Sequence, residues 1–93
     1  MPWIHVTLSQ RVEDADRLAA ELADAAAAAT GLGPAEVVVL VTVADASSGS
    51  GAVVTIAGRR RGKTAETDLT AAVRRVVAAW TGLGGDLIAV VRS

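Results

Sequence analysis

Pro2 directly follows Met1 and opens an apolar run, Trp3, Ile4, His5, Val6, Thr7 and Leu8. Removal of Met1, which aminopeptidases perform readily before a residue as small as proline, leaves a secondary amine at the head of a strand. Such an amine is an acid, base or nucleophile whose lone pair is fixed by a rigid ring. While Met1 stays attached, the same nitrogen is an amide without basicity. Met-Pro is also a common accident of chain starts, so the pair needs support from elsewhere. The second group with chemistry is the basic run Arg59, Arg60, Arg61 and Lys63. Arginines two apart on a strand project to the same side, and two guanidinium forks that converge on a small carboxylate bind it by charge-assisted, bidentate hydrogen bonds. On that geometry Arg60 faces away.

Other readings of the same residues fare less well. Gly58 to Thr64 has the look of a phosphate-binding loop, but that pattern needs four residues between its glycines and only Arg59, Arg60 and Arg61 are present. A nucleic-acid patch is opposed by the absence of Phe and Tyr, the rings on which bases stack. Arg60 and Lys63 read as a solvated charge run. His5 shares strand parity with Trp3 and Thr7 and has no second ligand at usable spacing, so it reads as an interface residue and not a metal ligand. No metal or cofactor is called for. With nine basic and ten acidic residues the charges nearly cancel, and no global field points to nucleic acid or a membrane surface. Cysteine is absent, which removes disulfides and thiolate chemistry. Neither a secretory leader nor a membrane-length apolar run is found, and a cytoplasmic protein is expected.

Pro2 and the arginines must be held by a small scaffold, and the chain builds it from two copies of one pattern. Thr30-Gly31-Leu32-Gly33 recurs as Thr81-Gly82-Leu83-Gly84. Each copy follows an alanine-rich helical stretch and precedes a Val/Leu/Ile strand. The first helix is expected from about Val12 to Ala29, with Glu13, Asp14 and Asp16 near its positive end and Leu18, Leu22 and Ala25 or Ala26 as its apolar stripe. Gly31 and Pro34 end it. The second is expected to be capped by Thr64, with Leu69, Val73, Val76, Val77 and Trp80 at helical spacing. Strands Trp3 to Leu8 and Ala52 to Ala57 precede the helices, giving pseudo-repeats 2–44 and 52–93 joined by a polar linker at 45–51, all within one domain spanning 1–93. The expected fold is α/β (α+β), tandem βαβ units forming a four-stranded mixed sheet with two helices on one face. Val37 to Val43 and Leu87 to Val91 are apolar on consecutive residues, as in parallel strands buried on both faces. Two helices cover only one face, so the other calls for neighbouring subunits.

An initial Met-Pro strand, a helix ending in Ala-Thr-Gly, a long valine strand and a second βαβ unit together resemble the tautomerase superfamily, built on an amino-terminal catalytic proline. The resemblance spans essentially the whole chain and implies a tautomerase/MIF-like fold of the members with two units per subunit, which are trimeric. The stretch Ala52 to Arg61 is most similar to the malonate semialdehyde decarboxylases, in which an Arg-x-Arg pair ends the third strand and binds substrate carboxylate. Arg59 and Arg61 stand at those positions. That family also carries an acid five residues past the glycine closing the first helix, which is Glu36 here. Glu36 would orient a water or relay a proton; it reads equally as a solvated residue at a strand entrance. Leu32 stands where some two-unit relatives place a lysine, which leaves carboxylate binding to the arginines.

Those roles fit together chemically. Positive charge and burial beside Trp3 and Ile4 would lower the pKa of the Pro2 amine and free it to take a proton near neutral pH. An arginine at the carbonyl oxygen stabilises the charge that grows there as the substrate enolises. The expectation is a tautomerase or isomerase acting on a small-molecule carboxylate. Its catalytic residues would be Pro2, Arg59, Arg61 and Glu36, with Arg59 and Arg61 also binding the substrate. Decarboxylation of a 3-oxo acid is the close alternative. The expected assembly is a homotrimer; a non-catalytic subunit that keeps the fold and pairs with a related chain is a second class, and a ferredoxin-like binding module is a third. Strand pairing separates the last, because its sheet interleaves the two halves, whereas the tautomerase architecture keeps each unit's strands adjacent and parallel.

Overall fold

Strict alternation places the sheet on its core. In β1 (Trp3–Leu8) the residues Ile4, Val6 and Leu8 are buried, while Trp3 and His5 project to the other side and are exposed. The same holds in β3 (Ala52–Ala57), where Ala52, Val54 and Ile56 turn inward and Val53 outward. The computed structural model describes residues 2–93; Met1 lies outside the described residues, and with it the question of its removal. Its element order is β1, α1 (Ala15–Thr30), β2 (Val38–Val43), β3, α2 (Lys63–Thr81) and β4 (Ile88–Arg92), with 3-10 turns at Pro34–Glu36 and Gly85–Leu87. Both halves therefore run strand, helix, turn, strand.

The sheet order is β2-β1-β3-β4. β1 pairs parallel with β2 and β3 parallel with β4, whereas the two central strands β1 and β3 are antiparallel. Each unit keeps its strands adjacent, which excludes the interleaved ferredoxin-like sheet. Both helices lie on one face, where Leu18, Leu22, Ala26 and Ala27 of α1 and Leu69, Ala72, Val73, Val76 and Val77 of α2 meet the inward residues of the sheet. Ala25, Ala28 and Ala29 line a seam with Ala71 and Ala72, so the alanine run lets the helices approach each other as well as the sheet. Trp80 is half-buried against the core, and its indole N–H donates to Glu21 at 2.7 Å, tying α2 to α1.

The helix ends differ from expectation at the start and agree at the stop. α1 begins at Ala15 because Asp14 adopts a left-handed φ of 57° that cannot continue from Val12; its carboxylate accepts the Arg17 N–H at 3.3 Å, as an N-cap should. α2 begins at Lys63 after Gly62, so Thr64 sits inside the first turn and is not the cap. Gly31 and Gly82 close the helices with φ of 77° and 74°, each donating its N–H to a carbonyl of the last turn at 2.8 Å.

The sheet's far face is open. β2 and β4 are the edge strands, and in the single chain they are covered on one side only, not buried on both. Trp3, Leu40, Val53 and Val91 are each about half exposed there. Among them His5 Nε2 lies 3.0 Å from the Thr42 hydroxyl, which in turn meets Thr7. The linker 45–51 carries no regular structure and is tied at its end, where Gly51 donates to the Ser9 hydroxyl and accepts from the Ser9 N–H. No helix among the described residues is long and apolar enough to cross a membrane.

Candidate functional site

Pro2 is buried at the entrance to a central strand, and its carbonyl accepts the Val38 N–H at 3.0 Å. The ladders determine what stands around it. β1 and β3 are antiparallel with Trp3 opposite Ala57, so one further step sets Pro2 beside Gly58, which leads into Arg59, Arg60 and Arg61. The bond to Val38 likewise brings the start of β2 alongside, with Glu36 two residues before it. One end of the sheet therefore gathers Pro2, the arginine run and Glu36. All four residues singled out in the sequence converge on that end.

Their local geometry corrects the sequence reading of the arginines. β3 stops at Ala57, and Gly58 takes a φ of 123°, so Arg59, Arg60 and Arg61 lie on a loop instead of a strand. The rule that every second residue shares a side does not apply to them. Arg59 and Arg60 are exposed and Arg61 is half-buried. Glu36 is exposed, and one of its carboxylate oxygens accepts the Gly33 N–H at 3.2 Å, closing the 3-10 turn.

The loop is gripped by two residues absent from the sequence reading. Glu66, in the first turn of α2, and Arg92, the last residue of β4, form an ion pair at 2.7 Å with both side chains largely covered. Glu66 also accepts the Arg61 N–H at 3.2 Å, and Arg92 donates to the Arg59 carbonyl at 2.9 Å. The hydrogen bond from Arg92, the Arg61 N–H and the nearby positive charge hold the Glu66 carboxyl below the usual glutamate range, outweighing its partial burial. A signal for Arg92 was present: it shares parity with the inward-facing Ile88 and Val90, and a charge at a core-facing position needs a partner.

Three cavities among the described residues lie elsewhere. One of about 510 Å³ at the opposite end is lined by Ser9, Arg11, Glu13, Ser50, Trp80 and Thr81, and holds no amine or paired arginines. The chemistry, and not a hollow, singles out the Pro2 end.

No family model and no curated protein matches the sequence. Solved structures do match the fold. A fused 4-OT wild-type symmetric trimer superposes with a TM-score of 0.85 at 22% identity, covering 98% of this chain and 83% of that one. The macrophage migration inhibitory factor of Giardia lamblia gives 0.83 at 16% identity over 99% and 97% of the two chains. Pt0534, crystallised after inactivation by 2-oxo-3-pentynoate, gives 0.84 at 15% identity over 98% and 83%. 4-OT and the MIF proteins both belong to the tautomerase superfamily, and the present chain has their fold.

Proposed function

We propose that this chain is a tautomerase-type enzyme that moves a proton on a small oxo-carboxylate, with Pro2 as the base once Met1 is removed. The observation that carries this reading is the burial of Pro2 at one end of the central strand pair, beside the loop that bears Arg59 and Arg61. In the keto-to-enol direction the amine takes a proton from the carbon next to the carbonyl. The electron pair passes to the carbonyl oxygen, where an arginine meets the new negative charge, and the proton is then delivered to that oxygen. The other arginine holds the carboxylate. Burial and neighbouring guanidinium groups both disfavour a protonated amine, which keeps it available as a base. Glu36 serves as a relay or orients a water at the rim.

The working unit is proposed to be a trimer of this chain. Its open face presents Trp3, Leu40, Val53 and Val91 to solvent, an apolar patch of the kind that marks a protein–protein contact. The fused 4-OT structure of the same fold is a trimer.

2-Oxo-3-pentynoate tests the reading, since it joins a 2-oxo acid to an alkyne that a free amine attacks. Intact-mass measurement should find protein lacking Met1, and labelling should add one inhibitor mass on the peptide that begins at Pro2. The processed protein should also ketonise the enol of phenylpyruvate, at a rate that rises with pH through the amine's titration. Equal activity of Met1-retaining and processed protein would overturn the proposal.

A further inference from the structure

The loop from Gly58 to Gly62 has no regular structure of its own, yet it carries the proposed carboxylate clamp. Beyond the bond from the Glu66 N–H to the Gly62 carbonyl, side chains hold its main chain at two points. Arg92 directs Nη2 to the Arg59 carbonyl at 2.9 Å, Nη1 to the Ile56 carbonyl at 3.1 Å and Nε to Glu66 at 2.7 Å. Glu66 uses one oxygen for Arg92 and the other for the Arg61 N–H at 3.2 Å. One guanidinium and one carboxylate thus join the end of β3, the end of β4, the start of α2 and both clamp residues. Arg92 also donates to the Ser93 carbonyl at 3.2 Å, so its fork is aimed at protein oxygens. It is not a third clamp.

We infer that Glu66 and Arg92 are positioning residues that fix the backbone of Arg59 and Arg61 and so set the affinity for the substrate carboxylate. The inference rests on the function proposed above. A long arginine side chain loses rotamer freedom when it binds, and a wandering main chain would add to that loss. Holding Arg59 at its carbonyl and Arg61 at its N–H removes the second cost and leaves both guanidinium groups free for the ligand. The chemistry needs these residue types. Glutamine at 66 has one acceptor oxygen where two are used, and lysine at 92 replaces a planar fork with a single flexible ammonium whose three donors cannot serve four separate oxygens.

The test follows labelling of Pro2 by 2-oxo-3-pentynoate across a range of inhibitor concentrations in the processed, full-length protein. Half-saturation reads carboxylate binding and the limiting rate reads the amine. Glu66→Gln and Arg92→Lys should each raise the half-saturating concentration about tenfold, while the limiting rate stays within about twofold, as expected for supports of a binding group. Amide exchange at residues 59–62 should accelerate in both variants and stay unchanged in β1. Arg60→Ala, outside the clasp, should alter neither reading. Unchanged half-saturation in both variants, or unchanged exchange in the loop, overturns the inference while the proposed function stands. A fall confined to the limiting rate overturns it too, since the clasp would then act on the amine. Failure of the wild-type protein to be labelled at Pro2 overturns the proposed function, and the positioning role with it.

Discussion

At the scale of single residues, the three consecutive arginines are chemically alike but structurally unequal. Arg59 and Arg61 are each held by a main-chain group, and the clasp does not grip Arg60. Arg59→Ala and Arg61→Ala should each lower kcat/KM on an oxo-carboxylate by about 2 to 4 kcal/mol of transition-state stabilisation, the range for a lost oxyanion donor. Arg60→Ala should cost little, and equal losses at all three would reduce the clamp to a diffuse field. Glu66 gives a second, pH-dependent outcome. Its pKa is lowered in the folded state, first by the bond to Arg92, so its stabilisation is fully present above the unfolded glutamate value and is lost as pH falls through the lowered one. Urea unfolding should therefore show wild type more stable than Glu66→Gln at pH 7, with the gap closing in acid. A gap that widens in acid would contradict the assignment. Pro2, Arg59 and Arg61 were proposed because their types carry chemistry on their own, and Glu36 because the resemblance points to it; the fold brings all four to one end of the sheet. The clasp was not legible, since Glu66 and Arg92 meet only after β4 has been laid beside β3, and no local periodicity records that pairing.

At the scale of elements, alternation in β1 and the 3.6-residue stripe of both helices were plain in the sequence, because each pattern is fixed by which side meets the core. Helix starts were harder. Asp14 leaves the helical region through a left-handed turn that the acidic run around it does not announce, and α2 starts after Gly62 with no side-chain cap, Thr64 sitting inside its first turn. The stops were read correctly because both need a left-handed residue, which glycine adopts without strain. Open space surrounds the position a Cβ would take at Gly31 and at Gly82, so a substitution there meets strain and no clash. Gly31→Ala and Gly82→Ala should each destabilise by about 1 kcal/mol, the penalty of a Cβ in the left-handed region, as a shift of the urea midpoint with unchanged slope. A neutral result at both would mean that the helix ends fray instead of closing in this geometry.

At the scale of the whole molecule, the decisive feature is a sheet with helices on one side and nothing on the other. The apolar run of β2 looked in sequence like a strand buried twice over; in one chain it is an edge strand covered once, and the difference is what an assembly would supply. Val53 sits on central strand β3 and projects from the open face with 46% exposure. Its replacement by lysine leaves the single chain intact, because the new ammonium points into water. In a trimer packed through its sheets the same group would be buried without a partner, at a cost that disfavours association strongly. Val53→Lys should therefore sediment as a folded monomer at concentrations where wild type runs as a trimer, with an unchanged circular dichroism spectrum. A stable wild-type monomer at micromolar concentration would remove the trimer. The substitution also asks whether neighbours complete the site. Pro2, Arg59, Arg61 and the clasp are untouched by it, and Trp3, next to Pro2, lies on the same open face. If the monomer labels with 2-oxo-3-pentynoate as readily as the trimer, one chain holds everything the amine and the clamp require; slower labelling with an intact fold assigns part of the pocket to a neighbouring copy.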